Sequence, residues 1–239
     1  MSRRALSFVL VVCAVGVFAP RPCSAQGRRP DWWPEGRRPP YLKLSPPESE
    51  DRRAILLGSA SFLGAGTSFN QPDPASGSIP VALRGAPASA GGWIIVRFSP
   101  RTSASSRRAI LARHATLWAD ELPHDARLAY VPAAAVPALA AERGVEWVGR
   151  YHPAYKLPPL LGAGGGLREP GSPWRLDLRL APELGGMAEV ASLVTFRKGR
   201  VLQATADRLT VEIPDAATLV LLARHDAVLR IWETPEYVL

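Results

Sequence analysis

With 239 residues, 47% of them apolar and 21% charged, the chain is long enough for one large domain or two small ones and apolar enough to build a core. Its 24 prolines and 20 glycines are unevenly spread, which excludes uniform packing along the chain and predicts segments that punctuate structure more than fill it. The formal charge of +8 admits nucleic acid or an anionic surface as partner, and equally a solvated, arginine-rich exterior.

Residues 1–25 read as an export signal: Arg3 and Arg4, an apolar run from Ala5 to Ala19, then Cys23-Ser24-Ala25 as a small-x-Ala cleavage site. The run is too short to span a bilayer comfortably, so no stable membrane anchor is predicted and the mature chain is expected to be secreted or periplasmic. The paired arginines fit a twin-arginine signal and also an ordinary one, which leaves the export route open. Cleavage after Ala25 removes Cys13, Cys23, three arginines and no acid, so the charge falls from +8 to +5. The remaining chain forms no disulfide and performs no thiol chemistry.

Residues 26–92 predict a Pro/Gly-rich linker, with GRRP at 27–30 and 36–39 and glycine-serine runs further on. Within it, Arg52 to Leu57 and Ile79 to Leu83 are the stretches suited to brief regular structure. Trp32 and Trp33 either dock on a neighbour or belong to a disordered stalk.

From Trp93 the texture changes. WIIVRF reads as a strand, and Ser103 to Asp120 places Ile110, Leu111, Leu117 and Trp118 at helical spacing. The segment around Leu122 and Arg127 to Val131 supply two strands, Ala133 to Arg143 an alanine-rich helix with prolines confined to its start, and Val145 to Gly149 a last strand. This order, β-α-β-β-α-β, predicts a ferredoxin-like α+β unit over 93–157. A second linker, 158–173, carries Gly164 to Gly166. The order then recurs over 174–239: Arg175 to Leu180 as strand, Met187 to Phe196 as helix, Arg200 to Ala204 and Arg208 to Ile213 as strands, Asp215 to Arg224 as helix, Val228 to Trp232 as strand. Asp215 is the expected N-cap of the last helix.

At a single offset of 82, Arg97 meets Arg179, Pro100 meets Pro182, Leu111 meets Leu193, Pro132 meets Pro214 and Leu139 meets Leu221. The cadence PAYKL at 153–157 meets PEYVL at 235–239. Ordered prolines and tyrosines with a shared element order predict an internal duplication, each cadence being the tail that leaves the last strand of its unit.

The search for chemistry is negative. His114, His124, His152 and His225 have no convincing partners, and neither an HExxH nor a CxxC pattern occurs. The glycine run lacks the strand-to-helix setting of a phosphate cradle. Glu48, Glu50 and Asp51 lie in the linker, where no fixed geometry holds them. Trp93, Phe98 and Tyr130 are the aromatics that a base-stacking sheet would need, but RLDLRL and RLTVEI in the second unit offer none, so nucleic acid is not the expected partner.

On WIIVRF with its helix, on RLAYVPAAAVPALAAERGVEWVGRYHPAYKL, and on the second copy ending RLTVEIPDAATLVLLARHDAVLRIWETPEYVL, the sequence resembles the N-terminal propeptide region of bacterial secreted subtilisin-like serine proteases. The approach segment SFNQPDPASGSIPVALRGAP adds to the likeness, which covers roughly residues 68–239. The resemblance implies two tandem ferredoxin-like units that fold and inhibit a subtilisin-like serine protease catalytic domain, in trans or in cis within a longer precursor. The sheet would pack on the protease and the tail would lie in the substrate cleft, where β-augmentation supplies affinity. Leu239 would then occupy the primary specificity pocket, with Val238, Tyr237, Glu236 and Pro235 leading outward. Because Glu236 meets a pocket that is usually apolar in the family, two readings stay open: a terminus suited to an unusual partner, or the front part of a longer protease. PAYKL, continuing into Pro158-Pro159, is expected to pack between the units, unless both cadences simply seal the bottom of each core. No catalytic triad is predicted, since Gly66-Thr67-Ser68 is followed by Phe69-Asn70 and no His-Gly dipeptide occurs. No cofactor or metal is expected either. The rival expectation is an exported ligand-binding or adhesion module with a pocket between its units.

Overall fold

The computed structural model describes residues 54–56, 61–63, 79–157 and 173–234. The predicted signal, most of residues 26–78, the stretch 158–172 and the tail 235–239 lie outside the described residues. A short antiparallel pair comes first, β1 (Ala54–Leu56) against β2 (Ser61–Leu63).

Two four-stranded antiparallel sheets follow, giving a mixed α+β molecule. The first is built from β3 (Gly92–Phe98), α1 (Ala104–His114), β4 (Leu117–Leu122), β5 (Ala126–Val131), α2 (Val136–Ala140) and β6 (Val145–Arg150), with strand order β4-β5-β3-β6. The second is built from β7 (Trp174–Leu180), α3 (Met187–Phe196), β8 (Arg200–Ala204), β9 (Arg208–Ile213), α4 (Ala216–Arg224) and β10 (Val228–Glu233), with strand order β8-β9-β7-β10. The two orders are the same when the strands are numbered within each half, and β3 to β7 and β5 to β9 correspond residue for residue at the offset of 82.

Three expectations change. The helix expected over Ser103 to Asp120 stops at His114, because Ala115 turns extended and the Thr116 N–H donates to the Tyr130 carbonyl, recruiting Leu117 and Trp118 into β4. The helix expected over Ala133 to Arg143 contracts to α2. Pro137 has no N–H to bond backwards, so the preceding Ala133–Ala135 closes as a 3-10 turn, and Gly144 (φ +117°) redirects the chain beyond the helix. The last part of the expected linker is packed: Ile79 and Leu83 are buried, with 3-10 turns at Val81–Leu83 and Ala88–Ala90.

Of the described helices, α1 and α4 begin on side-chain caps. Ser103 accepts the Ser106 N–H at 3.2 Å, and Asp215 accepts both the N–H and the hydroxyl of Thr218 at 2.7 Å.

The two sheets differ in what their faces carry. On one face of the first sheet, Ile94, Val96, Phe98, Ala129, Val131, Val145 and Val148 pack with Ile110, Leu111, Val136 and Leu139 of the helices. Its other face carries Trp93, Ile95, Ala126, Leu128 and Trp147, also buried, in a cluster shared with the second half. Runs such as GWIIVRF, apolar at successive positions, are what a strand buried on both sides requires. Gly149 belongs to this face: a Cβ there would collide with the Trp147 indole, which lies across it. In the second sheet, Leu176, Leu178, Leu180, Leu209, Val211 and Ile213 face Val190, Val194, Leu219 and Leu222, while the alternate positions are polar. WRLDLRL and RLTVEI thus show the period-2 pattern of a sheet covered on one side.

Candidate partner-docking surface

Strand register fixes what the polar face of the second sheet looks like. Arg230 on β10 stands opposite Arg179 on β7, which stands opposite Arg208 on β9, so three arginines cross three neighbouring strands in one row. The next row on the same face holds Trp232, Asp177, Thr210 and Gln203. The third holds Arg175, Glu212 and Arg200, reached by Thr234, whose N–H donates to the Arg175 carbonyl at 2.9 Å.

Within this face the Thr210 hydroxyl donates to Asp177 Oδ1 at 2.6 Å, and the Arg200 guanidinium lies 3.5 Å from Glu212. The Arg230 guanidinium sits over the Trp232 ring, 5.7 Å from its centroid. Arg175, Arg200, Gln203 and Arg208 are exposed, and the others are half-buried. β10 is an edge strand running from the arginine row towards Thr234, so the chain leaves this sheet at the end away from that row.

The predicted cleft residues Pro235, Glu236, Tyr237, Val238 and Leu239 lie outside the described residues, as do Gly164 to Gly166 and the acids Glu48, Glu50 and Asp51. What the structure places is the strand that precedes the tail. The first cadence is described in full: Pro153–Lys156 forms a 3-10 turn, and Pro153, Tyr155 and Leu157 are buried against α4 and β10 of the other half.

That contact is a joint of directed hydrogen bonds. The Lys156 ammonium donates to the His225 carbonyl at 2.9 Å, the Tyr151 hydroxyl to the Leu229 carbonyl at 3.0 Å, and the Trp93 indole N–H to the Asp226 carbonyl at 2.7 Å. Leu229 lies where the β10–β7 register shifts, between Val228 and Arg230, and Tyr151 reaches its carbonyl at that irregularity. Tyr130 and Trp93 meet edge to face at 5.4 Å, and the Tyr130 hydroxyl reaches Asp226 Oδ2 at 3.4 Å. Lys156 is 3% exposed. Burial pushes its ammonium down from 10.5 to about 7, with the Asp226 carboxylate pulling the other way and Arg150 adding to the depression.

The histidines have structural surroundings. His114 Nε2 is 2.7 Å from Glu142, which Arg113 also bonds; the His152 ring stands edge-on to Tyr155 and its Nδ1 accepts the Gly85 N–H at 2.9 Å. His225 Nδ1 accepts the Ala227 N–H at 3.2 Å, and its Nε2 lies 3.4 Å from Glu189. His124 is in the β4–β5 turn with φ +59°. Among the described residues, no three histidine, cysteine or acidic side chains cluster as a metal site, and no helix is long and apolar enough to cross a membrane.

Of the aromatics weighed for base stacking, Trp93 and Phe98 are each 1% exposed and so closed to a nucleobase. Trp232, which sequence reasoning passed over, stands on the polar face instead. The arginine row was also missed. Its signal was present in the alternation of WRLDLRL, RLTVEI and VLRIWE, but the alignment of the three strands is set by the hairpin and crossovers, which no single strand encodes.

Comparison with protein-family models, with curated proteins and with solved structures returns no match to this chain.

Proposed function

We propose that the chain is an exported, non-catalytic inhibitor and folding chaperone of a subtilisin-like serine protease, built from two tandem ferredoxin-like units. In this reading the second unit docks through its polar sheet face and residues 235–239 occupy the substrate cleft. The observation that carries it is the position of β10: it is an edge strand of the second sheet, bonded through Thr234 to β7, and it ends at the rim of that sheet's polar face, where a continuation in extended form would start. An extended segment at such a rim is suited to adding as a strand to a cleft, with main-chain bonds giving affinity and side-chain pockets giving selectivity. The first half serves as a brace, since both faces of its sheet are covered and its cadence is buried in the joint.

The rival, a ligand pocket between the halves, is disfavoured by the filling of that joint with Tyr151, Tyr155, Lys156 and Leu157. Titration of the chain into a subtilisin-like protease, with and without residues 235–239, tests the proposal. Inhibition that disappears with those five residues is the expected result. Equal inhibition by both forms, or none by either while folded, would remove the cleft-binding reading.

A further inference from the structure

We infer that residues 79–91 form a latch across the joint between the two halves, a strap that holds the halves against each other and opens while both sheets stay folded. The latch is independent of the protease reading.

Both sheets are complete without this segment, which supplies no strand to either. Among the described residues, its main-chain bonds turn back on itself. Pro80 and Pro87, each with φ −54°, lead the 3-10 turns Val81–Leu83 and Ala88–Ala90, where the Leu83 N–H donates to the Pro80 carbonyl and the Ala90 N–H to the Pro87 carbonyl, both at 2.9 Å. The Arg84 guanidinium donates to the Ile79 carbonyl at 2.8 Å and braces the first turn from the side. A segment that meets its backbone needs locally has no ladder to break when it lifts.

Side chains hold it down, and they come from both halves. From the second half, the Arg224 guanidinium at the end of α4 donates to the Ala82 carbonyl at 3.2 Å. From the first, His152 Nδ1 accepts the Gly85 N–H at 2.9 Å and the Arg150 guanidinium donates to the Gly91 carbonyl. Ile79 and Leu83 sink into the cluster that the halves share, and Ala88 into the helix side of the first sheet. At Gly91 (φ +71°) a Cβ would stand 2.4 Å from the Ala133 nitrogen, so the end of the strap lies flush on the first half.

Position makes these contacts a latch. Arg150 ends β6, and His152 precedes the Pro153–Lys156 turn that packs on α4 and β10. The strap therefore clamps the base of that turn and reaches across to the helix on which the turn is seated. Opening it breaks the bonds at Ala82, Gly85 and Gly91 and uncovers Ile79 and Leu83, while the β3–β5 and β7–β9 ladders stay bonded. Segments anchored in this way open below the free energy of global unfolding.

Native-state hydrogen exchange of the full chain, read by NMR, tests the latch. The reporters are the amides of Leu83, Gly85 and Gly91 in the strap, the Trp93 indole N–H that donates to the Asp226 carbonyl across the joint, and the amides of Ile95 and Leu178 in the central strands. In the unaltered chain the strap amides and the indole are expected to open together, at least about tenfold more often than the strand amides. Leu83→Ala is expected to speed the strap amides and the indole by about tenfold or more. Val194→Ala, beneath the second sheet, is expected to speed Leu178 by a similar factor and to leave the strap and the indole within about twofold.

One common rate for strap, indole and strands in the unaltered chain would overturn the latch, and that measurement stands even where a variant folds poorly. So would a strap accelerated by Val194→Ala as much as Leu178 is, since it would then open only with the sheet. Acceleration of the strap amides by Leu83→Ala with an unchanged indole would show a segment that frays without holding the joint.

Discussion

Burying the Lys156 ammonium costs free energy, and the pH dependence of that cost has a definite sign. The folded chain releases the proton near pH 7, whereas the unfolded chain keeps it to about 10.5. Between those values the unfolded state holds more protons, so stability rises with pH in that window, by at most about 1.4 kcal/mol per unit. Below about 7 both states are protonated and the cost is constant. Lys156→Met lacks the titrating group. In urea unfolding at pH 7, 8.5 and 10, the unaltered chain is expected to gain on the variant step by step, and parallel curves would show that Lys156 is not the source of the slope. Gly149 makes a different point at the same scale. Its missing side chain is the space that Trp147 fills, a relation between two residues of one strand that VEWVG displays only once the strand is known to lie flat beneath an indole.

Elements were most legible where pattern and capping agreed. Met187–Phe196, Arg200–Ala204 and Arg208–Ile213 fall at the boundaries read from sequence, and Asp215 is the N-cap that its position before an apolar helix suggested. Asp215→Ala removes the acceptor for both donors of Thr218 and is expected to cost about 1 kcal/mol in denaturant stability. Asp215→Asn, which keeps an acceptor oxygen, should lose much less; equal losses would mean that charge and not capping is at work. Legibility failed at α1. Leu117 and Trp118 continue a helical spacing by chance, and the pairing of Thr116 with Tyr130, fourteen residues away, decides against it. A contact made by another strand is invisible to a period counted along one. The polar face of the second sheet was legible only in part for the same reason: which positions are polar could be read, but not which arginines stand side by side.

At the scale of the whole molecule, the buried side chains of the first sheet's second face and those of the second half form one cluster, tied by bonds from Lys156, Tyr151 and Trp93. A single proteolytic cut between residues 157 and 173 is therefore expected to leave both halves co-eluting in gel filtration and unfolding in one transition. Separation of the fragments without denaturant would contradict a shared core. The tail 235–239, on which the proposed inhibition turns, lies outside the described residues, and the protease titration is the measurement that bears on it. The first sheet is covered on both sides and the second on one, so the two tolerate substitution differently. Along β3 every position is answerable to packing, whereas along β7 every second position is released from it. Substitutions at Arg175, Arg208 or Glu212 should therefore leave the unfolding midpoint nearly unchanged, whereas a polar residue at Ile94, Ile95 or Val96 should lower it steeply.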